Sequence, residues 1–391
     1  MKHNEKFQIP NTLYLVGNGL DRNNGLDTSY KSFIIFYLKK AIKMAVDNNY
    51  PFIDNCMRIE IDFIRFKSDF DKMDSFFDNF EQEFMPENYF VSRDRKREYL
   101  ISNFPFLIIT PASKFIEAIL KNFSFSTWAG IENDIYKVLK QSYHDTEKSQ
   151  RKLNDPTDTS YGNNVINDLN RSVKCLTKEL VYYLQSQNSP LKPNSIISEL
   201  TRTKTTKLER HNKLVIDPTS SYFHILNFNY TTYLEKEVLA LSDYYNGIID
   251  AKVFVQDMNN IHGRLDEEFD DIIFGIGDEQ ERFLHDVESY YSDNWLESFK
   301  SYKYLRKNNY QNLIGFTQID DYEIYVIGHS CSITDRTLLK MLFENPHCKK
   351  IHVMHRGMSS YMSICFNISR NFSDKIKMRK VLQPFDPKLK F

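Results

Sequence analysis

The sequence predicts an α/β protein in which one parallel β-sheet carries a large, mostly helical insertion. Short, continuous apolar runs occur near the start of the chain and again after residue 222. Helical spacing of apolar residues dominates the region between them, and glycine or polar residues follow the apolar runs. Continuous apolar strands separated by helices are typical of a parallel sheet covered on both faces. We therefore expect a core domain from residues 1–45 and 216–391, with a helical insertion at 46–215.

The first predicted strand, Leu13–Val16, leads into a glycine-rich turn and then into a helix. Such a corner can bind a nucleotide, because glycines permit close backbone approach and unpaired N–H groups at a helix start favour phosphate. The candidate binding residues in this stretch are Gly17, Asn18, Gly19, Asp21, Thr28 and Ser29. Arg22 stands where the dinucleotide fingerprint has its third glycine, and no Walker lysine follows. A tight strand-to-helix turn without a ligand is the alternative interpretation.

The middle of the chain, from about Ala41 to Leu214, has few strand-like runs. Its phenylalanines recur at helical spacing, which indicates the inward faces of packed helices; they are Phe63, Phe66, Phe70, Phe76, Phe77, Phe80 and Phe84. Two polar stretches, 146–168 and 185–194, are predicted to be loops or helix breaks. Trp128 and Glu132 share a helix face at i, i+4, so this carboxylate could reach a site or could serve helix packing.

Strand patterns return in five later runs, at 223–230, 251–255, 271–278, 323–330 and 350–354. Ligands of parallel sheets bind beyond the carboxyl ends of the strands. The polar residues at those ends are Asn229, His262, Asp278 and the run Gly328-His329-Ser330. The glycine turn after the first strand falls at a strand end of the same kind. The sequence therefore predicts one site along this edge of the sheet.

Composition excludes several classes of partner. The chain of 391 residues carries 51 basic and 52 acidic residues, so it lacks the charge excess that attracts nucleic acid or an anionic membrane. Its five cysteines are scattered, without a Cys-x-x-Cys pair, which argues against a disulfide framework or a zinc ribbon. No apolar signal core or membrane-spanning run is present in the sequence. We expect a cytoplasmic protein without a direct nucleic-acid or membrane partner.

The stretch GNGLDRNNGLDTSYKSF resembles the opening motif of the bacteriophage abortive infection AbiH family. Further matches follow in the order of that family, at NFNYT (227–231), IHG (261–263), IFGIGD (273–278) and IGHSCSITD (327–335). The spacing of Trp128 and Glu132 fits it as well. AbiH proteins are in turn similar to sirtuin-like NAD-binding domains of bacterial defence, so the resemblance implies a Rossmann-like (sirtuin-like) parallel sheet.

The resemblance also implies roles for individual residues. Asn229 and His262 match the catalytic Asn and His, and the glycine loop matches the segment that takes the NAD phosphates. Gly328, Ser330 and Asp335 match a later motif near the adenosine half, with His329 lining the site. Deacetylase sirtuins carry a zinc ribbon that has no counterpart in these cysteines, which counts against protein deacetylation and leads us to expect no metal.

The expected function is that of an anti-phage abortive infection protein. It would bind NAD as its substrate and hydrolyse it to nicotinamide and ADP-ribose on infection, with His262 as base because the pKa of histidine lies near cytoplasmic pH. Two alternatives stay open: a nucleotide-binding sensor or scaffold without turnover, and a metal-dependent nuclease built from Asp21, Glu132, Asp278 and Asp335. We expect a phage-derived trigger and a homo-oligomer whose insertion contacts control the site.

Overall fold

A computed structural model describes residues 10–62, 89–91, 99–101, 104–122, 127–155, 157–187, 223–237, 258–267, 271–277 and 282–390 of the chain. The strands in these ranges are β1 (Asn11–Val16), β2 (Phe52–Ile53), β3 (Met57–Ile61), β4 (Tyr89–Val91), β5 (Tyr99–Ile101), β6 (Phe104–Pro111), β7 (Phe223–Asn227), β8 (Met258–Asn260), β9 (Tyr322–Ile327) and β10 (Cys348–Val353).

The α-helices in the described ranges are α1 (Asn18–Asn23), α2 (Tyr30–Asn48), α3 (Lys114–Asn122), α4 (Trp128–Leu153), α5 (Ser160–Ser186), α6 (Arg282–Tyr290), α7 (Lys300–Lys303), α8 (Asn309–Ile319), α9 (Arg336–Phe343), α10 (Met358–Asn371) and α11 (Lys375–Val381). Short 3-10 turns occur at Asp293–Trp295, Tyr304–Arg306 and Ile333–Asp335. Among the described helices, none has the length and apolar content needed to cross a bilayer.

The chain divides into two compact units, each built from separate stretches of sequence. The first unit comprises Met1–Asp27, Gln187–Ile273 and Ser301–Phe391, and the second comprises Thr28–Ser186 and Phe274–Lys300. These bounds differ from the predicted domains, because residues 28–45 and 274–300 group with the middle of the chain.

The first unit contains a five-stranded sheet in the order β10-β9-β1-β7-β8, with every neighbouring pair parallel. Numbered along the chain and read from β8, its strands are therefore arranged 3-2-1-4-5. Leu13 of β1 lies opposite His224 of β7 and Ile324 of β9, so the first strand of the chain is central. This pairing confirms the predicted parallel sheet assembled from sequence-distant strands.

Both faces of this sheet are covered. Leu13 and Leu15 belong to one buried apolar cluster, whereas Tyr14 and Val16 belong to another, as the alternation of side chains along a strand requires. All six residues of β1 are buried. A strand that is buried on both faces reads as a continuous apolar run, which explains why the sequence reveals β1 so clearly.

One of the predicted strands differs in the structure. In the described part of the run 271–278, Ile276 forms only an isolated bridge with Phe299. The Ile276 N–H donates to the Ser298 carbonyl, and the Lys300 N–H donates to the Ile276 carbonyl, so this run pairs with an irregular segment. A short apolar run cannot by itself distinguish a buried strand from a buried loop. The predicted strand 251–255 lies outside the described residues, and β8 supplies the fifth strand.

The second unit contains a sheet of its own beside its long helices, which the prediction of a mostly helical insertion did not include. That sheet has five antiparallel strands in the order β2-β3-β6-β5-β4. Strand β3 alternates between buried and more exposed residues over only five positions, a signal too short to stand out from its surroundings. The phenylalanines from Phe63 to Phe84, whose spacing indicates helices, lie outside the described residues.

The polar stretch 146–168, predicted as a loop or a helix break, is mostly helical and contains a break between two helices. Helix α4 continues to Leu153 and α5 begins at Ser160. Asn154 ends α4 in the left-handed conformation with φ of 51°, a common way to terminate a helix. The polar composition of this stretch reflects the exposed faces of two long amphipathic helices, whose apolar faces are buried. Of the second predicted loop, residues 185 and 186 complete α5, and 188–194 lie outside the described residues.

Trp128 and Glu132 both serve packing inside the second unit. The Trp128 Nε1–H donates to the Thr28 carbonyl at 2.9 Å, and the indole ring stacks on Phe33. Glu132 Oε1 lies 2.7 Å from Lys300 Nζ, with both side chains buried. Of the two interpretations left open by the sequence, this geometry favours helix packing.

Candidate functional site

The loops that follow β1, β7, β8 and β9 lie at one edge of the parallel sheet, because all these strands run in the same direction. The order 3-2-1-4-5 places the reversal of strand order between β1 and β9. In open α/β sheets, this reversal at the carboxyl edge is where ligands bind. Polar side chains from these loops form two clusters, one around Asp21 and one around Asp335.

The glycine turn after β1 packs against the turn after β9. The Gly17 N–H donates to the Ile327 carbonyl at 2.9 Å, and the Gly19 N–H donates to the Gly328 carbonyl at 2.8 Å. The Leu20 N–H donates to the Gly17 carbonyl at 3.0 Å. Three amide groups of the kind expected to face a phosphate are therefore hydrogen-bonded within the protein.

The same contact explains why glycine is required here. A Cβ at position 19 would lie 2.7 Å from the Gly328 Cα and carbonyl oxygen, and one at position 17 would lie 2.7 Å from the His329 Cα. Gly328 has φ of +64°, and a Cβ on it would approach the Leu20 nitrogen to 2.5 Å. Backbone atoms cannot move aside as a flexible side chain can, so these positions exclude larger residues.

We expect Gly19→Ala to destabilise the first unit by about 1–3 kcal/mol, the usual cost of adding a methyl group to a packed interior. Gly315 is a matched control, because it lies within α8 and a Cβ there would meet no atom within 4 Å. Gly315→Ala should be neutral or stabilising by up to about 1 kcal/mol, since alanine favours helices over glycine. Urea unfolding of the two variants measures the difference, and equal stabilities would contradict the packing role of Gly19.

The first polar cluster surrounds the Asp21 carboxylate, which is only 1% exposed. Thr231 Oγ1 donates to Asp21 Oδ2 at 2.7 Å, and Asn229 Nδ2 donates to Asp21 Oδ1 at 3.3 Å. The Asn229 N–H donates to Asn227 Oδ1 at 3.1 Å, and Asn227 Nδ2 donates to Asn260 Oδ1 at 2.8 Å. A continuous hydrogen-bond chain thus joins the ends of β1, β7 and β8 and fixes the amide of Asn229.

Burial raises the pKa of Asp21 to about 7. The hydrogen bond from Thr231 opposes this rise, whereas the nearby negative charge of Glu237 adds to it. Asp21 is therefore a carboxyl group that can change its protonation state near neutral pH, directly beside Asn229.

The raised pKa of Asp21 predicts a pH-dependent stability. Between about pH 4 and 7 the folded chain holds a proton that the unfolded chain has released, because an ordinary aspartate has a pKa of about 3.9. The contribution of Asp21 is therefore most favourable below this window and declines as pH rises through it. Asp21→Asn cannot titrate, so its stability relative to the parent should increase by up to about 1.4 kcal/mol per pH unit across the window. Unfolding measured from pH 4 to 8 tests this, and a pH-independent difference would argue against a proton on Asp21.

The second cluster places Asp335 between two buried histidines. His262 Nε2 lies 3.5 Å from Asp335 Oδ1, and His329 Nε2 lies 3.6 Å from Asp335 Oδ2. The Cys331 N–H donates to His329 Nδ1 at 3.1 Å, so the proton of a neutral His329 is on Nε2, facing the carboxylate. His262 Nε2 is also 3.3 Å from the Tyr304 hydroxyl. This arrangement can orient His262 and move a proton between its ring and a neighbouring group.

Phe228 connects the two clusters in sequence and in space. Its ring centroid lies 4.2 Å from that of His329 and 5.1 Å from that of His262. It also stands between Asn227 and Asn229 in the chain. The ring and both histidines are buried, and electrostatic interactions in a buried site are stronger than in solution.

The structure brings together Gly17, Gly19, Asp21, Asn229, His262, Gly328, His329 and Asp335 at the loops of this edge. Asn18 is the first residue of α1 and is partly buried. Ser330 is exposed, and its carbonyl accepts a hydrogen bond from Asn367 Nδ2 at 2.9 Å. Asp278 lies outside the described residues.

Thr28 and Ser29 belong to the second unit, and their contacts there are structural. Ser29 caps the start of α2, with its Oγ accepting from the Ser32 N–H at 3.2 Å. The Thr28 carbonyl accepts the Trp128 indole hydrogen bond. The sequence motif that contains both residues is thus explained in part by helix capping.

Sequence reasoning missed Thr231, Tyr304 and Phe228, which contact Asp21 or His262, and also Asn260, which contacts Asn227. Thr231 lies two positions after Asn229 within NFNYT, so this motif already contained the residue that contacts Asp21. Tyr304 follows no predicted strand, and only the fold brings it to His262. Nothing in the local sequence around Tyr304 indicates this contact.

The carboxylates considered for a nuclease do not form a metal-binding group in the described part of the chain. There, the only set of three or more potential ligands close enough to share an ion is Asp54, Cys56 and Cys175. Glu132 is paired with Lys300 in the second unit. This geometry gives no support to a Mg²⁺ site built from Asp21, Glu132 and Asp335.

Comparison with known proteins gives one match. A family model described as "Bacteriophage abortive infection AbiH" matches residues 13–356. That range includes both polar clusters and most of the two units. No curated protein and no solved structure matches the chain.

Proposed function

The chain belongs to the bacteriophage abortive infection AbiH family, and from this premise we propose that its anti-phage role consists of binding NAD and hydrolysing it to nicotinamide and ADP-ribose. Family membership supports the role in abortive infection. The chemistry is our proposal, and the observation that carries it is the Asn229 and His262 pair at the carboxyl edge of the parallel sheet.

Several features support a dinucleotide as the ligand. The strand order 3-2-1-4-5 is that of a Rossmann-like sheet, whose ligands cross the edge at the reversal of strand order. Asn229 follows a strand and His262 precedes a glycine at this edge, as do the catalytic Asn and His of sirtuin-like domains. Asp335, which follows β9, orients His262 instead of facing solvent. We propose a sirtuin-like arrangement on these grounds.

The proposed reaction breaks the bond between the nicotinamide nitrogen and the ribose carbon C1′. Nicotinamide leaves with the bonding electron pair as a neutral molecule, and the oxygen of a water molecule bonds to C1′. His262 accepts the proton of that water, and Asp335 stabilises the resulting imidazolium. Asn229, held by Asp21, orients the water or a ribose hydroxyl without adding charge beside a cation-like transition state.

The test is to incubate the purified, full-length protein with NAD and to follow nicotinamide and ADP-ribose by chromatography. The proposal expects both products in equal amounts, whereas a cyclised ADP-ribose would show that a ribose hydroxyl replaces water. Binding of NAD without either product would favour a nucleotide sensor or scaffold. Absence of both binding and turnover, in the presence of a phage lysate as well as without it, would refute the proposal.

An enzyme that consumed NAD continuously would kill its own cell, so the proposal includes a silent resting state. We propose that a phage-derived component releases it and that contacts between copies of the chain maintain it. Expression alone should be tolerated, whereas phage challenge should lower cellular NAD only when His262 is intact. Protection that persists while cellular NAD is unchanged would point to the sensor.

A further inference from the structure

The second unit contains a group of side chains that the proposed reaction does not use. Asp54 and Cys56 lie in the turn between β2 and β3, and Cys175 lies in the middle of α5. The carboxylate oxygen and the two sulfur atoms lie within 4.8 Å of one another. We propose that these three residues bind one divalent, thiol-seeking transition-metal cation, and that Zn²⁺ is the ion favoured by this donor set.

The donor atoms and their spacing suit zinc. Zinc is held by cysteine sulfur at about 2.3 Å and by carboxylate oxygen at about 2.0–2.2 Å in a tetrahedral arrangement. Ligand atoms around such an ion are about 3.5–4 Å apart. Atoms that already lie within 4.8 Å of one another need to move by only on the order of an ångström to reach these positions. Two sulfurs and one oxygen leave a fourth position for water.

The carboxylate of Asp54 is oriented as metal-binding carboxylates are. Its Oδ1 accepts hydrogen bonds from the Cys56 and Met57 N–H groups at 2.7 and 2.8 Å, and its Oδ2 accepts one from the Tyr37 hydroxyl. A carboxylate has about four lone-pair sites, so one site on Oδ2 remains for a cation. Hydrogen bonds of this kind fix ligand orientation in metal sites.

A third donor distinguishes this group from a simple pair of thiols. A disulfide between Cys56 and Cys175 would require only the two sulfurs, and Asp54 would have no part in it. Cys56 is fully buried, with its sulfur 3.5 Å from the Ser172 carbonyl, whereas Asp54 and Cys175 are partly exposed. The open side gives an ion a path from solvent, and the buried side holds it.

Such a site would join parts of the second unit that are distant in the sequence. The turn before β3 and the helix α5 are separated by most of that unit. Cross-links that close long loops restrict the unfolded chain most. Binding converts two thiols to thiolates and releases two protons to solvent, and the cation then ties the antiparallel sheet to α5.

The experiment uses the reduced, full-length protein after treatment with a chelator. Co²⁺ serves as the probe, because cobalt bound to thiolates gives a charge-transfer absorption band that cobalt in water lacks. We expect one equivalent of Co²⁺ per chain, displaced by Zn²⁺, and a higher melting temperature of the loaded protein. Cys56→Ser and Cys175→Ser should lose the band, whereas Cys365→Ser, a cysteine of the first unit, should keep it.

A positioning variant separates metal binding from folding. Tyr37→Phe removes only the hydroxyl that holds Asp54, so it should weaken Co²⁺ affinity by about 10–100-fold with the band retained. The metal-free melting temperatures of all variants establish that they fold. A wild-type protein with five free thiols and no cobalt band would overturn the proposal. A Cys56–Cys175 disulfide found by alkylation and mass spectrometry in freshly isolated protein would also overturn it, in favour of a redox pair.

Discussion

His262→Ala should lower the rate of the proposed NAD hydrolysis by about 10²–10⁴-fold, the usual loss when a positioned base is removed. The ring of His262 lies 3.5 Å from Asp335 Oδ1 and 3.3 Å from the Tyr304 hydroxyl, so its orientation is fixed on one side by a charge and a hydroxyl. Alanine removes the proton acceptor and leaves the two orienting groups in place. We expect Asn229→Ala to lose activity to a similar extent, because Asn229 lies beside Asp21 in the first polar cluster.

His347→Ala is the matched control for His262→Ala. His347 directly precedes β10, at the amino-terminal edge of the same sheet, and contacts Asp321 near the surface. Its removal should leave turnover unchanged. Asp335→Asn tests the orienting role of Asp335 separately from the base role of His262. Asparagine keeps the shape of the side chain without its charge, so the variant should shift the pH profile of the remaining activity. Parental turnover in a folded His262→Ala variant would show that the site has been assigned incorrectly.

Lys300→Met should destabilise the second unit by about 3–5 kcal/mol, the usual cost of removing one partner from a buried ion pair. Lys300 Nζ lies 2.7 Å from Glu132 Oε1, and the two side chains are 1% and 8% exposed. The variant leaves a carboxylate in the interior without the charge that compensates it. The loss should appear as a lower urea midpoint for the unfolding of this unit.

Two further variants check this explanation. Lys121→Met breaks the surface pair of Lys121 and Glu117 and should change stability by no more than about 1 kcal/mol, because exposed pairs contribute little. The double variant Lys300→Met with Glu132→Gln removes both charges and should recover part of the loss. If Lys300→Met were as stable as Lys121→Met, the buried pair would not hold this unit together.

Sequence patterns predicted the parallel sheet well because its central strand β1 is buried on both faces and contains the apolar run Leu13–Val16. The neighbouring strands β7 and β9 are mostly apolar, with His224 in one and Glu323 in the other. The antiparallel sheet was missed because β2, β3, β4 and β5 have at most five residues each, so that the eight-residue strand β6 had no clear partner in the sequence. Signals this short are decided by pairing with distant strands, which local spacing does not record. The long polar helices α4 and α5 were underestimated for a similar reason, since their burial depends on the partner they pack against.

The candidate site was predictable in its location and less so in its contacts. The rule that ligands bind at carboxyl strand ends is enough to place Asn229, His262 and His329 at one edge from the sequence alone. No rule of sequence spacing indicates that Asp335 lies between the two histidines, or that Tyr304 reaches one of them. Such contacts arise from the packing of whole elements.

The backbone contact between Gly19 and Gly328 limits how this motif can change among related chains. Each glycine excludes a side chain on the other, so the pair is constrained by folding even where nothing binds nearby. A library of random substitutions at positions 19 and 328, selected only for folded protein, should return almost entirely glycine at both. Family members that have lost His262 or Asp335 would still have glycine at both of these positions. The histidines and their carboxylate are therefore the positions at which active and inactive members of the family should differ.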